Sequence, residues 1–231
     1  MEILVVLAFL SLSIHGVWAH GTFAHFVVNG TIAPEWKYVR DVAGAPDYEN
    51  LTNIPQYAKR VPFFDIYSPN MVCGRSAERA AANTETATVI AGSEVGFKLA
   101  EIIKQPTQDL IFHDGPAQAF MSRAPNDDLE HYDGKGDWFK VGYIGPKSDT
   151  AWKLKGKNGW NFSIPKTTPP GKYLLRIEQF QPYRLFNTSQ WYVNCAHVKV
   201  VGPGGGTPTR FVKFPGAYNI SDPGTTPANF N

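Results

Sequence analysis

The chain has 231 residues, 43% of them hydrophobic and 18% charged, with a formal net charge of +2. That length suits one large domain or two small ones. A near-neutral balance without any run of Lys and Arg argues against nucleic acid as a partner.

The first 19 residues read as a secretory signal. Residues 3–14 are apolar except for two serines, a run too short to span a bilayer. Val17-Trp18-Ala19 then offers an A-x-A-like cleavage site, although Glu2 stands where a basic residue is usual. A buried first strand is the competing reading. Cleavage after Ala19 would leave residues 20–231 as one secreted, extracellular domain with no appended carbohydrate-binding module. No other segment is apolar enough to expect a membrane. Five N-x-[ST] sequons agree with secretion, at Asn29, Asn50, Asn161, Asn187 and Asn219. Cys73 and Cys195 are the two cysteines. In an oxidising compartment an even count suggests one disulfide, worth roughly 4–5 kcal/mol for so long a loop. Two buried free thiols are the alternative.

Along the mature chain, Gly, Pro, Asn and Asp punctuate short alternating or β-branched runs at residues 23–28, 86–91, 94–99, 109–113, 117–122, 161–164, 172–179 and 190–201. No long helical period competes. The expected fold is all-β: an antiparallel sandwich of the immunoglobulin or fibronectin kind. Residues 38–60 read as a long surface loop, and residues 61–80 as a place for a helical turn or two. The Gly/Pro-rich tail from residue 202 keeps Phe211, Phe214 and Tyr218, so it is expected to pack along the domain.

Chemistry starts at His20. As a mature N-terminus it would offer an α-amine and a ring nitrogen together. The amine pKa lies near 7.7–8.0, so a metal displaces its proton at little cost. A third nitrogen would complete a planar, T-shaped set that suits copper. Among the other histidines, His15 leaves with the signal, and His25 lies an odd number of residues from His20, on the opposite strand face. His131 sits in a polar loop and His197 reads as a surface strand residue. His113 remains: it ends an apolar run and opens the turn His113-Asp114-Gly115-Pro116. Motifs for a phosphate loop, a nucleophile elbow or a zinc protease are lacking. Asp114 and Glu178 are more simply a turn and a strand residue than a glycosidase pair.

Several segments, in order, resemble the fungal lytic polysaccharide monooxygenases of auxiliary activity family nine. They are His20-Gly21, Ser68-Pro69-Asn70-Met71-Val72-Cys73, and His113-Asp114-Gly115-Pro116 with the run that follows it. Gly159-Trp160-Asn161, Ile164-Pro165 and Pro170-Gly171-Lys172-Tyr173-Leu174-Leu175-Arg176 come next. Gln190-Trp191-Tyr192 with Cys195 and Phe214-Pro215-Gly216-Ala217-Tyr218 complete the set.

The resemblance implies one copper ion in a histidine brace. His20 would give its amine and ring, and His113 a ring nitrogen. Tyr192 would stand in the axial position, and Gln190 would hydrogen-bond toward bound oxygen. Read without the family, Gln190 is a strand-edge amide and Tyr192 a core aromatic. The implied activity is oxidative cleavage of a β-1,4-linked glucan, cellulose or hemicellulose. It uses an external electron donor and oxygen or hydrogen peroxide, and a monomer is expected. Family members present exposed aromatics to sugar rings; Tyr38, Tyr48, Tyr57 and Tyr218 are the candidates here. One departure stands out. The family's further histidine, between the Leu-Leu-Arg strand and the Gln-x-Tyr strand, is replaced at Pro182 or Tyr183. That motivates a second reading, a non-catalytic copper-binding or cell-wall-binding protein on the same scaffold. A metal-free carbohydrate-binding module is a third.

Overall fold

A computed structural model describes residues 20–45, 56–101, 110–182 and 188–222. The signal segment, Tyr48, Asn50, Asp109, Tyr183 and Asn187 lie outside these. Two sheets face each other. The smaller has the order β2 (Thr31–Ile32), β1 (His25–Val28), β4 (Glu94–Lys98), β9 (Gly159–Ser163). The larger runs β12 (Phe211–Val212), β6 (Trp138–Ile144), β5 (Ala117–Arg123), β10 (Gly171–Gln181), β11 (Gln190–Val201), β3 (Ala87–Ile90). A short hairpin, β7 (Pro146–Ser148) and β8 (Ala151–Trp152), stands apart. The expected helical turns are the 3₁₀ turns at Pro69–Met71 and Ala77–Asn83; a further turn, α1 (Gln56–Lys59), lies in the stretch expected to be a loop. The fold is a β-sandwich, as the alternating runs indicate.

Period-two alternation explains the inner core. Phe26 and Phe97 of the small sheet are fully buried against Leu175, Ile177 and Met121 of the large one. Burying each such side chain contributes about 1.5–3 kcal/mol. The large sheet is also covered on its outer face. There Leu174, Phe120, Trp138 and Phe214 pack with the Cys73–Cys195 disulfide. Strands β10 and β11 are thus buried on both faces, so that even their polar residues Arg176, Glu178, Gln179, Asn194 and His197 are buried. The tail packs as expected, with β12 on the edge of β6 and Phe214 buried.

Four expectations need correction. Strand β3 pairs parallel with β11, Val198 opposite Ala87, so the sandwich is not wholly antiparallel; the long stretch between them supplies the crossover that parallel pairing needs. Residues 110–113 form no strand, because the N–H and C=O of Ile111 are taken by Lys157 and Gly156. Strand β6 was not among the expected runs. The loop at 38–60 is not simply a surface loop. Val39 and Arg40 are fully buried, and Val39 forms a bridge with Ala196. Phe63 does the same with Trp191, so these residues close the exposed edge of β11.

Candidate functional site

The N-terminal segment is tied down just after His20. The Phe23 N–H donates to Asn194 Oδ1 on β11 at 2.9 Å, and the Ala100 N–H donates to the Thr22 carbonyl at 2.9 Å. The Phe23 ring is buried in the inner core. Gly21 lies so close to Leu99 that a Cβ would sit 2.8 Å from its Cδ2. These contacts leave His20 at the surface, over the end of β11.

His113 arrives on the irregular segment before β5. Ile111 roots that segment: its N–H donates to the Lys157 carbonyl at 2.7 Å, and its carbonyl accepts from Gly156 at 2.9 Å. Gly115 then turns the chain with φ +151°; a Cβ there would lie 1.8 Å from the Phe180 carbonyl oxygen. The turn therefore requires glycine, and His113 is held where the strand begins.

Tyr192 emerges from β11 between the two histidines. Ring centroids are 5.6 Å apart for His20 and His113, 6.2 Å for His20 and Tyr192, and 6.0 Å for His113 and Tyr192. The Tyr192 hydroxyl donates to Gln190 Oε1 at 2.7 Å. Burial pushes the Tyr192 phenol well above its ordinary range and lowers the pKa of His20. Burial also lowers that of His113, helped by the charges of His20 and Lys155 and opposed by Asp114. Both imidazoles thus favour the neutral form that binds metal. His113 Nε2 is buried and makes no hydrogen bond among the described residues. Other buried side-chain atoms share that state, but this one belongs to a residue that lines a surface cleft beside His20 and Tyr192, where a ligand can reach it. No three His, Cys, Asp or Glu side chains cluster as metal ligands among the described residues. A third nitrogen would have to come from the His20 backbone, as an amine once its bond to Ala19 is cut.

The remaining candidates are sorted by their surroundings. His25 Nδ1 donates to the Ala33 carbonyl at 2.8 Å, which holds it away from the site, and the side chain of His131 is 82% exposed. His197 corrects the surface reading: it is fully buried, and Arg40 Nε donates to its Nε2 at 2.7 Å. Burial, with the Arg40 charge, lowers its pKa to about 3. Tyr38 packs edge-on against Phe26, and the Tyr218 ring lies tilted against Trp191 with its hydroxyl on Glu178, so neither is a free platform for sugar. Tyr57 is exposed. Glu178 is fully buried and Asp114 is exposed with Lys155, so they are not paired. Pro182 is half-buried.

Asn29 occupies an exposed hairpin turn at φ 52°. Asn219 is exposed, whereas the Asn161 side-chain nitrogen already donates to Glu94 at 3.0 Å.

Two residues near the site were not singled out from sequence. Gln179, opposite Tyr192 in register, lines the same cleft as His113, and its buried Nε2 has no partner among the described residues. Phe112, 55% exposed, stands edge-on to the His113 ring. Gln179 reads as one of several polar interruptions in β10, and Phe112 as a core position of an apolar run; their place in the lining of the cleft is a tertiary fact.

The family model for Auxiliary Activity family 9 (formerly GH61) matches residues 20–231. The AA9 family lytic polysaccharide monooxygenase U of Thermothielavioides terrestris is 54% identical over 211 residues, covering 90% of this chain and 81% of that protein. Monooxygenase G of the same family from Aspergillus tamarii is 36% identical over 228 residues, covering 95% of this chain and 64% of that protein. The crystal structure of HiLPMO9B aligns with a TM-score of 0.71 at 24% identity over 90% of each chain, a likeness of fold.

Proposed function

The chain belongs to auxiliary activity family 9, and on that footing we propose that it is a secreted, copper-dependent monooxygenase cleaving a β-1,4-linked glucan, cellulose or a related glycan. The observation that carries this reading is the convergence of His20, His113 and Tyr192 around the partnerless Nε2 of His113. The donor set fits copper: two imidazoles and an amine are nitrogen ligands of the kind that metal favours. His20 would supply its amine and ring, His113 its Nε2, and the Tyr192 hydroxyl would lie beside the metal. Removal of residues 1–19 as a signal is supported by the family match beginning at His20.

Bound there, one copper ion would cycle between Cu(I) and Cu(II), taking electrons from an external donor and activating oxygen or hydrogen peroxide. The protein's own part is positional. Asn194 and Leu99 fix the path of the chain behind His20. The clamp on Ile111 sets the His113 ring. Burial keeps the Tyr192 phenol protonated, and its O–H donates a hydrogen bond to Gln190 Oε1. The Gln190 amide nitrogen is then left to donate to an oxidant or a sugar hydroxyl. The domain acts as a monomer on an extended glycan.

The test combines N-terminal mass spectrometry of the secreted protein, copper titration, and product analysis on cellulose with ascorbate. A mature start at His20, one tightly bound copper and oxidised oligosaccharides are expected. Tight copper binding without oxidised products from any glucan or hemicellulose would sink the enzymatic reading. The non-catalytic alternative raised by the replacement at Pro182 or Tyr183 is not favoured.

A further inference from the structure

We infer that the glycan preferred at this site carries carboxylates: an apolar step beside His113, bordered by lysines, suits a uronic-acid-substituted β-1,4-glycan over its neutral counterpart. The inference rests on the polysaccharide-cleaving reading above and adds a substrate class to it.

The step is made by Leu110 and Phe112, 41% and 55% exposed on the segment that ends at His113. The Phe112 ring stands 5.7 Å from the His113 ring at 82°. Large exposed apolar side chains next to a site mark a contact surface. A phenyl ring offers no hydroxyl, so what it receives is the C–H face of a sugar.

The border is the loop behind that segment. The two backbone hydrogen bonds of Ile111 join residues 110–113 directly to Gly156 and Lys157. Leu154 is buried and roots the loop, while Lys153, Lys155 and Lys157 are all exposed. Lys98 reaches the same loop, its Nζ donating to Asn158 Oδ1 at 2.9 Å. Lys155 pairs with Asp114 at 2.9 Å, so one of these charges is partly balanced. Among the described residues, Lys153 and Lys157 have no carboxylate partner. A neutral glucan offers them hydroxyl acceptors but no countercharge. A side-group carboxylate on a chain lying over Phe112 would meet them at the surface, where several like charges add although each exposed pair is weak.

The experiment measures binding of the mature, copper-loaded protein to glucuronoxylan and to the same polymer with its carboxyls reduced to alcohols. At low salt the native polymer should bind about three- to tenfold tighter, and the ratio should approach one near 0.5 M NaCl. The variant K153Q/K155Q/K157Q should bring the ratio near one at low salt, while Phe112→Ala should weaken binding of both polymers. Equal affinity of the unaltered protein for the two polymers, or a ratio that survives loss of the lysines, overturns the inference. Oxidised products from neutral cellulose are scored separately. Their presence with a ratio of one removes the carboxylate preference alone, and their absence from every glycan with the ratio intact removes the oxidative reading alone.

Discussion

On β10 and β11, Arg176 and Glu178 point to the outer face of the large sheet, while Gln179 and Tyr192 point to the inner one. Both pairs are buried, yet their polar groups are treated differently. Arg176 donates to the Met71 and Val72 carbonyls and to Glu178, and lies 3.7 Å from the Phe214 ring centroid. Glu178 also accepts from the Gln118 amide and the Tyr218 hydroxyl. On the inner side, Gln179 Nε2 and His113 Nε2 are left without partners beside a surface cleft. Chain partners that satisfy a buried group hold the fold together; groups left open at a cleft are what a ligand can use. Stability and metal binding should therefore fail separately.

The largest loss is expected from the outer face. Replacing both Cys73 and Cys195 by Ala opens a link between residues 122 apart and should cost about 5 kcal/mol in the chain-entropy account. Chemical denaturation measures it, and the copper spectrum of the surviving folded protein should not move. Arg176→Met leaves Glu178 buried beside two hydrogen bonds and no cation, which should cost about 3–5 kcal/mol. The double variant R176M/E178L should lose less than R176M. Equal losses would mean that the pair is not coupled.

At the site the order reverses. His113→Ala should weaken copper binding at least about 100-fold, because loss of a ligand exceeds the 10–100-fold typical of its supporting groups. Denaturation of the metal-free protein should change far less than for R176M. A metal-free H113A that is as unstable as R176M would collapse the distinction between the two faces.

The smallest expected effect is a pH dependence. His197 has a pKa of about 3 in the folded chain, below the ordinary 6.5. Above pH 6.5 it is neutral folded or unfolded and costs nothing. As pH falls, the unfolded chain takes a proton that the folded chain refuses, so stability is lost from pH 6.5 toward 3. By pH 5 that amounts to about 2 kcal/mol. Urea midpoints of metal-free protein at pH 7 and pH 5 measure it, and His197→Gln should flatten the difference.

His20, His113 and the Gln190–Tyr192 pair were legible because each is set by local order. An A-x-A-like motif precedes His20, a Gly-Pro turn follows His113, and a spacing of two puts Gln190 and Tyr192 on one strand face. The cysteines were legible for a similar reason, since two in an oxidising compartment have one way to pair. The sandwich followed from alternation over short runs. The burial of His197 beneath Arg40 was not legible, nor was the covered outer face of β10. Alternation says which residues share a face but not whether a second layer lies over it, and that layer comes from residues about a hundred positions away. The same holds for Phe112. In the sequence it is one more apolar residue before His113; in the fold, the bonds of Ile111 to the loop at 156–157 deny the segment a strand and turn the ring outward. Sequence by itself indicated the β-sandwich, the pairing of Cys73 with Cys195 and the residues His20, His113 and Tyr192 that the fold brings together. Tertiary structure decided which polar groups are satisfied and which are left open, because that depends on what long-range packing brings against them.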